Sequence, residues 1–338
     1  MEQILETQSA KKKDRGTAGS GCFICGEKML FTFSWSDFDL YKCTGCGNES
    51  VDPIPSAKAL EEFYQKEFYK HNGRALPASD RWQKRLGLVE RAFAGYLDMW
   101  SSVSASDKKP RNFLDIGGGL GYYAKAALNQ GIDACLMDYS DDAMAFGRET
   151  LGVKWTVQGD IQACARYFEK GTFDFALARH TIEHMRDPME YVANMASVLR
   201  SGGLLEVETP NVVSHEQFCH PMLVFYNYQT IRTSNPSMPA SRALRQALNK
   251  SMSGVNPPKH LWGFTPRSLR ALLENCGFEV LQINQAVCGH PIFDPLYYDL
   301  NRLASRKNLG IPYYFWERIT SALAAGHGMN LAVLARKR

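Results

Sequence analysis

No stretch of these 338 residues approaches the roughly 20 consecutive apolar positions that a membrane-spanning helix requires. The first twenty residues are polar and small and lack the apolar centre of a secretory signal, so a cytoplasmic protein is expected. Without export, a disulfide framework is not expected for the nine cysteines. A large excess of one charge is also missing. The formal net charge is +4, and much of it lies in Lys11-Lys12-Lys13 and Arg336-Lys337-Arg338 at the two ends. Such runs read as solvated tails. The near-neutral body argues against a nucleic-acid partner, because neutralising phosphates takes clustered Lys and Arg. Internal repeats are absent, and 45% apolar residues suffice for a sizeable core, which excludes wholesale disorder.

Four of the cysteines are paired in sequence, as Cys22-x2-Cys25 and Cys43-x2-Cys46. Each pair can deliver two thiolates from one tight turn, and zinc favours four sulfur ligands in a tetrahedron. The spacing predicts a zinc ribbon with Cys22, Cys25, Cys43 and Cys46 as ligands. Four thiolates leave no open position for water, so the ion is expected to be structural. Cys135, Cys164, Cys219, Cys276 and Cys288 show no such pattern and read as small core residues.

The order of composition along the chain predicts a loose tail over 1–20, the ribbon over 21–52 and a helical linker or cap over 53–105. A core follows over 106–210, then an insertion over 211–258, irregular in rhythm, expected to wall a substrate pocket; the insertions are expected to be helical. The remainder of the core occupies 259–338, with a second, aromatic-rich insertion at 290–327. Within the core, strands are predicted at Asn112–Ile116, Ile132–Met137, Lys154–Val157, Phe173–Ala178, Leu204–Val207, Phe278–Ile283 and Asn330–Leu334. Helices are predicted at Ala124–Asn129, Pro188–Leu199 and Pro266–Asn275. Regular strand–helix alternation of this kind implies an α/β fold, a parallel sheet with helices on both faces.

The sharpest local signal is Asp115-Ile-Gly-Gly-Gly-Leu-Gly121, where a strand should meet a helix. Glycines permit the turn and let a ligand approach the backbone, and the helix N-terminus adds exposed N–H groups. Gly119-x-Gly121-x-x-Ala124 also satisfies a relaxed dinucleotide fingerprint, so the glycines alone do not choose a ligand. The acids do. Asp115 precedes the glycines, where a carboxylate suits an ammonium and not a pyrophosphate. Asp138, with Tyr139 beside it, ends the next strand at the distance of a ribose. Asp160 ends the third, placed for an adenine amino group, with Ile161 to pack on the ring. Together they outline adenosine carrying an amino-acid tail, that is, S-adenosylmethionine. The bland alternative for each acid is a helix N-cap or a surface position.

At this point the chain resembles the class I S-adenosylmethionine-dependent methyltransferases. Within them it is similar to the branch that follows a zinc ribbon, often linked to polysaccharide or secondary-metabolite biosynthesis. The matching text is Leu40-Tyr-Lys-Cys43-Thr-Gly-Cys46-Gly, Asp52-Pro-Ile-Pro-Ser56, Phe63-Tyr64, Phe113-Leu-Asp-Ile-Gly-Gly-Gly119 and Phe173-Asp174. It continues with Glu183-His184, Asp187-Pro188, Leu199-Arg-Ser-Gly-Gly203, Glu208-Thr-Pro-Asn211, His260-Leu-Trp-Gly-Phe-Thr-Pro266 and Gly277-Phe278. The resemblance implies a Rossmann-like seven-stranded sheet whose last strand runs antiparallel. It also implies cofactor contacts from Asp115, Gly117 and Gly119 to the methionine end, from Asp138 to the ribose and from Asp160 to the adenine.

A methyl acceptor must be aligned and, if it is a hydroxyl, deprotonated, a task that suits histidine. His180 and His184 follow the fourth strand at the ligand-binding edge, where His180 could also touch the cofactor. His260 could close over the same pocket, and His215 and His220 lie in the first insertion. His180-x-x-Glu183-His184 spells an inverted zinc-peptidase pattern, but inside methyltransferase text. Related quinone O-methyltransferases hold a divalent ion here with acids and a histidine; His180 replaces an acid of that set. Tyr226, Tyr228, Trp262 and Phe264 are candidate pocket walls or core. The expected activity is O-methylation of a sugar or nucleotide-sugar hydroxyl. Carbon methylation of a keto-sugar, methylation of an RNA base and a non-catalytic binding role are the alternatives, and a homo-oligomer stays open.

Overall fold

The strand predicted over Asn112–Ile116 lies inside a seven-stranded sheet, and later strands extend that sheet to either side of it. The computed structural model describes residues 21–35, 37–64, 81–104, 109–213, 221–253, 255–286 and 330–338. Its strands are β1 (Met29–Trp35), β2 (Phe38–Cys43), β3 (Glu49–Asp52), β4 (Asn112–Ile116), β5 (Asp133–Asp138) and β6 (Trp155–Gln158), followed by β7 (Phe173–Arg179), β8 (Leu199–Pro210), β9 (Trp262–Gly263), β10 (Phe278–Ala286) and β11 (Asn330–Lys337). The helices are α1 (Ala57–Phe63), α2 (Arg81–Val103), α3 (Tyr122–Asn129), α4 (Asp141–Glu149), α5 (Pro188–Val198), α6 (Pro221–Ser234), α7 (Ala240–Met252) and α8 (Pro266–Asn275).

The large sheet has the order β10-β11-β8-β7-β4-β5-β6. Its members from β6 to β8 pair in parallel, while β11 is antiparallel to both β8 and β10. This is the seven-stranded Rossmann-like sheet that the resemblance implied. The chain runs from β4 to β5 and β6 on one side and then to β7 and β8 on the other. That reversal opens a crevice beyond the carboxyl ends of β4 and its neighbours, the place where open α/β sheets bind ligands.

Both faces are covered, and four of the five β4 residues, Asp115 included, are buried. On one face α2 lays Val89, Phe93, Tyr96 and Trp100 against Phe113, Phe175 and Leu177. On the other, α5 and α8 bring Tyr191, Val192, Met195, Leu269 and Leu272 onto Leu114, Ile116, Ala176 and Ala178. Side-chain caps fix several helix starts: Ser140 accepts from Ala143 N, Asp187 from Met189 and Glu190 N, and Thr265 shares a reciprocal capping box with Ser268. Each is worth about 1 kcal/mol.

The structure departs from the sequence reading in three places. Helix α4 was not predicted, because its large buried side chains are only Met144 and Phe146. The insertion over 211–258, expected to be helical but irregular in rhythm and given no helix bounds, contains α6 and α7, and α7 packs through the small residues Ala243 and Ala247, which give a faint periodic signal. Strand β8 starts at Leu199, five residues before the predicted start, since Leu199 pairs with Phe173 ahead of a register shift. The second insertion with Tyr297, Tyr298, Tyr313, Tyr314, Phe315 and Trp316 lies outside the described residues, as do His215, His220, Cys219 and Cys288. Among the described residues no helix is long and apolar enough to cross a membrane.

The amino-terminal lobe is built into the body. Its antiparallel strands β1-β2-β3 are joined by β9 as a fourth, with Glu49 opposite Gly263 and Ser50 opposite Trp262. Val51 N donates to Leu261 O at 3.2 Å, Thr265 Oγ1 donates to Cys46 O at 2.7 Å, and the Phe23 and Trp262 rings lie 4.7 Å apart.

Candidate functional site

The glycine turn closes directly over Asp115. That carboxyl, 3% exposed, accepts a hydrogen bond from Ala124 N at 3.1 Å and so ties β4 to the first turn of α3. It is therefore buried beneath the turn and not open at the strand tip. Burial raises it to about 7, against the opposing hydrogen bond from Ala124 and the positive Arg179. A Cβ at Gly118 would stand 2.4 Å from Asp115 Cγ, and one at Gly117, whose φ is +65°, would meet Thr181 Cγ2 at 2.3 Å. Only glycine fits either position. Gly118→Ala is expected to destabilise the fold by about 1–3 kcal/mol, as overpacking does, and to weaken ligand binding. Thermal melting measures the first effect; an unchanged midpoint would mean that Asp115 does not pack under the turn.

Asp138, the last residue of β5, receives Gly119 N on Oδ2 at 2.8 Å and Ser140 N on Oδ1 at 2.9 Å. These contacts fix the orientation of the carboxylate at the carboxyl end of β5. Tyr139 is half-buried, and burial together with the Asp160 carboxylate pushes its phenol up. Asp160 follows β6 and accepts from Gln162 N at 3.0 Å, so it caps the short 3₁₀ helix Ile161–Arg166. Ile161 is 7% exposed, and its Cδ1 would lie 3.5 Å from a Cβ at Gly117. The turn, Asp138 and Ile161 thus share one edge of the crevice.

A buried polar row on the same face as Asp115 was not singled out from the sequence as a unit. Arg179 Nε donates to Glu208 Oε2 at 2.6 Å, and Nη1 donates to Tyr123 Oη at 2.7 Å. The Tyr96 hydroxyl donates to the other Glu208 oxygen. Burial pushes the neighbouring Glu206 carboxyl far up. The available signal was Glu206-Val-Glu208, two acids on one face of a strand with a buried pattern.

The histidine motif lies after β7. His180 has φ +50°, a left-handed conformation costing about 1–2 kcal/mol outside glycine, and donates its backbone N–H to Glu208 O at 2.8 Å. Its ring is 32% exposed, with Nδ1 3.4 Å from Glu183 Oε1. Glu183 is 1% exposed, and its Oε2 accepts from Thr209 Oγ1 at 3.0 Å. Burial alone would raise this carboxyl; the imidazoles of His180, His184 and His260 outweigh it and hold it at about 2. His184 is buried, which pushes its imidazole down, and its Nδ1 lies 2.6 Å from Lys259 O. The His184 and His260 rings are 4.9 Å apart, because Leu261 N bonds to Glu183 O at 2.8 Å and draws the later segment in. All three predicted histidines therefore surround one carboxylate.

The proposed aromatic wall is dispersed. Phe264 is fully buried, Trp262 donates Nε1 to Met185 O at 2.6 Å, and Tyr228 packs in the α6–α7 cluster. The Tyr226 side chain lies outside the described residues.

In the amino-terminal lobe the four predicted sulfur ligands converge. Cys22 and Cys46 Sγ are 3.6 Å apart and Cys25 and Cys43 Sγ 3.4 Å, and all four lie within 4.8 Å of one another. Disulfides would need about 2.05 Å, whereas sulfurs about 2.3 Å from a tetrahedral zinc lie about 3.8 Å apart. Gly45 N and Cys46 N both point at Cys43 Sγ, at 3.3 and 3.4 Å, as amides do around a metal-bound thiolate. The cluster fits the ion.

Comparison with known proteins bears on the core. The chain is similar to an uncharacterized methyltransferase of Mycobacterium sp. (strain JLS), 27% identical over 117 residues, covering 35% of this chain and 46% of that protein. It is also similar to a ubiquinone biosynthesis O-methyltransferase of Parvibaculum lavamentivorans, 33% identical over 137 residues, covering 39% and 48%. The chain spans about half the length of these curated relatives. Among solved structures, a SAM-dependent methyltransferase from Archaeoglobus fulgidus aligns with a TM-score of 0.45 at 18% identity over 75% of this chain and 94% of that one. The 1,6-didemethyltoxoflavin-N1-methyltransferase of Burkholderia thailandensis aligns with a TM-score of 0.47 at 14% identity over 91% and 98%. A family model described as a methyltransferase domain matches residues 88–283, from α2 through β10. That span holds the glycine turn, the strand-end acids and the histidine cluster, and through it this chain belongs to the methyltransferase-domain family.

Proposed function

We propose that the protein transfers a methyl group from S-adenosylmethionine to a small molecule, with a sugar or nucleotide-sugar hydroxyl as the acceptor. The observation that carries this reading is the row of acids at β4, β5 and β6 around a turn that only glycine can make. Bound there, S-adenosylmethionine supplies a methyl group made electrophilic by its sulfonium. Asp138 accepts from the ribose hydroxyls, Ile161 packs on the base, and the buried Asp115 contributes negative charge behind the turn, near the cationic methionine end. His180, partly exposed and next to the Glu183 carboxylate, takes the acceptor proton. The four-cysteine lobe holds a structural zinc that keeps β9, and with it the His260 segment, in place. The sugar acceptor follows from the resemblance to the ribbon-bearing branch alone.

The test combines calorimetry of the full chain with S-adenosylmethionine and an acceptor panel of sugars, nucleotide sugars and phenols, read as S-adenosylhomocysteine release. Cofactor binding and turnover with a hydroxyl acceptor are expected. In His180→Ala, kcat should fall by about 10²–10⁴-fold while cofactor affinity holds. Binding of a nicotinamide dinucleotide in place of S-adenosylmethionine would overturn the reading.

A further inference from the structure

Helix α7 turns its small side chains inward and its large ones out. Ala243 and Ala247 are fully buried against Ile231 of α6, while Leu244 is 47% and Leu248 44% exposed. The two leucines are four residues apart, so they share one stripe of the helix. Phe225 of α6, 55% exposed, adds a third large apolar side chain to the hairpin surface. Between the helices, Val224, Phe225 and Tyr228 of α6 and Ala240, Ser241 and Leu244 of α7 line an open, almost wholly apolar groove of about 390 Å³. Single apolar residues on a surface need no explanation, but a contiguous patch marks a contact.

The charge around this patch has one sign. From Gln217 to Leu273 the sequence holds seven Lys and Arg and no Asp or Glu. Within the hairpin, Arg232 donates to the loop carbonyls of Pro236 and Met238. Arg242 and Arg245 are exposed on α7 and make no ion pair among the described residues.

We propose that the α6–α7 hairpin docks the protein on an anionic phospholipid surface, with Phe225, Leu244 and Leu248 entering the headgroup layer and Arg242 and Arg245 meeting lipid phosphates. Helices that lie in a membrane interface combine these features: Phe and Leu on one side, Arg or Lys beside them, and little acid. Arginine can lay its methylenes on apolar surface and still bring its guanidinium to a phosphate. A second copy of the chain is a poorer match. A two-fold contact sets each patch against itself, arginine against arginine, with no carboxylate from either hairpin between them. The groove also offers few polar atoms, while a protein interface of ordinary size is fixed by about ten hydrogen bonds. A lipid surface needs none. The docking is peripheral, since among the described residues no helix is long and apolar enough to cross a membrane.

The test is co-sedimentation of the full chain with sucrose-loaded vesicles, made of phosphatidylcholine alone or of phosphatidylcholine mixed with phosphatidylglycerol. The wild type should bind the anionic vesicles, bind them less as salt screens the charges, and bind the neutral ones far more weakly. Each arginine near an anionic surface contributes about fivefold, so Arg242→Gln combined with Arg245→Gln should lower the partition coefficient by about 25-fold. Leu244→Ser combined with Leu248→Ser keeps the charge and should lower it by about tenfold or more. The substituted side chains are exposed, so both variants should melt as the wild type does. Wild-type protein left in the supernatant at low salt would overturn the proposal, as would binding unmoved in either variant. A dimer that the leucine variant breaks, or capture of polyglutamate, found in place of vesicle binding would overturn it too, and would assign the patch to a second copy or to an acidic protein. None of these measurements uses S-adenosylmethionine, so the proposal stands or falls apart from methyl transfer.

Discussion

Asp138→Ala is expected to raise the dissociation constant for S-adenosylmethionine by about 10²–10⁴-fold. Asp138 is not merely near the crevice. Gly119 N and Ser140 N, at 2.8 and 2.9 Å, fix both of its oxygens, so the carboxylate meets a ligand already oriented. Two ribose hydroxyls donating to it would make two hydrogen bonds to a charged group, each worth about 1.5–3 kcal/mol. Their sum corresponds to the stated loss of affinity. Asp138→Asn keeps one acceptor oxygen and should fall between, which separates lost ligand contacts from a loosened turn. Isothermal calorimetry decides: an affinity within a few-fold of wild type in Asp138→Ala would mean that the ribose is not held at the end of β5.

Cys46→Ser should have the larger structural consequence. Structural zinc in a four-thiolate site contributes about 10–16 kcal/mol of folding free energy, comparable to the whole stability of a typical domain, about 5–15 kcal/mol. Losing one ligand should release the ion and melt β1–β3. The damage should not stop there. Cys46 O accepts from Thr265 Oγ1, and β3 pairs with β9, so the stretch from His260 to Thr265 would lose its support. The expected results are zinc release in a colorimetric assay, a fall of about 10 °C or more in the first melting transition, and loss of methyl transfer. A metal-free variant with unchanged melting and protease pattern would exclude this chain of support.

Much of the fold was legible because it is written in local rules. The strands of the large sheet and helices α3, α5 and α8 were each found from apolar runs and turn residues; α8 was located at Pro266–Asn275 because Cys276-Gly277 stops it, and the structure adds Thr265 as its cap. The bounds of helix α7 were not assigned because alanines, and not leucines, face its partner. At the crevice, the glycines and Asp138 could be read from position alone. The burial of Asp115 could not, since it depends on Ala124 and Gly118 folding over the carboxyl. The row through Arg179, Glu208, Tyr96 and Tyr123 joins α2, α3, β7 and β8, and no periodicity reports a contact across four elements.

By itself the sequence determined the paired cysteines, the glycine turn and the alternation that builds a parallel sheet. Each depends on residues within one turn or one strand of each other, where backbone sterics and ligand spacing act directly. Only the tertiary structure decided that the amino-terminal lobe takes its fourth strand from Trp262–Gly263 and that His260 comes to Glu183 and His184. Those unions rest on hydrogen bonds and packing between segments some 75 to 220 residues apart. Contacts of that range exist only once the loops between them have been closed against their entropy.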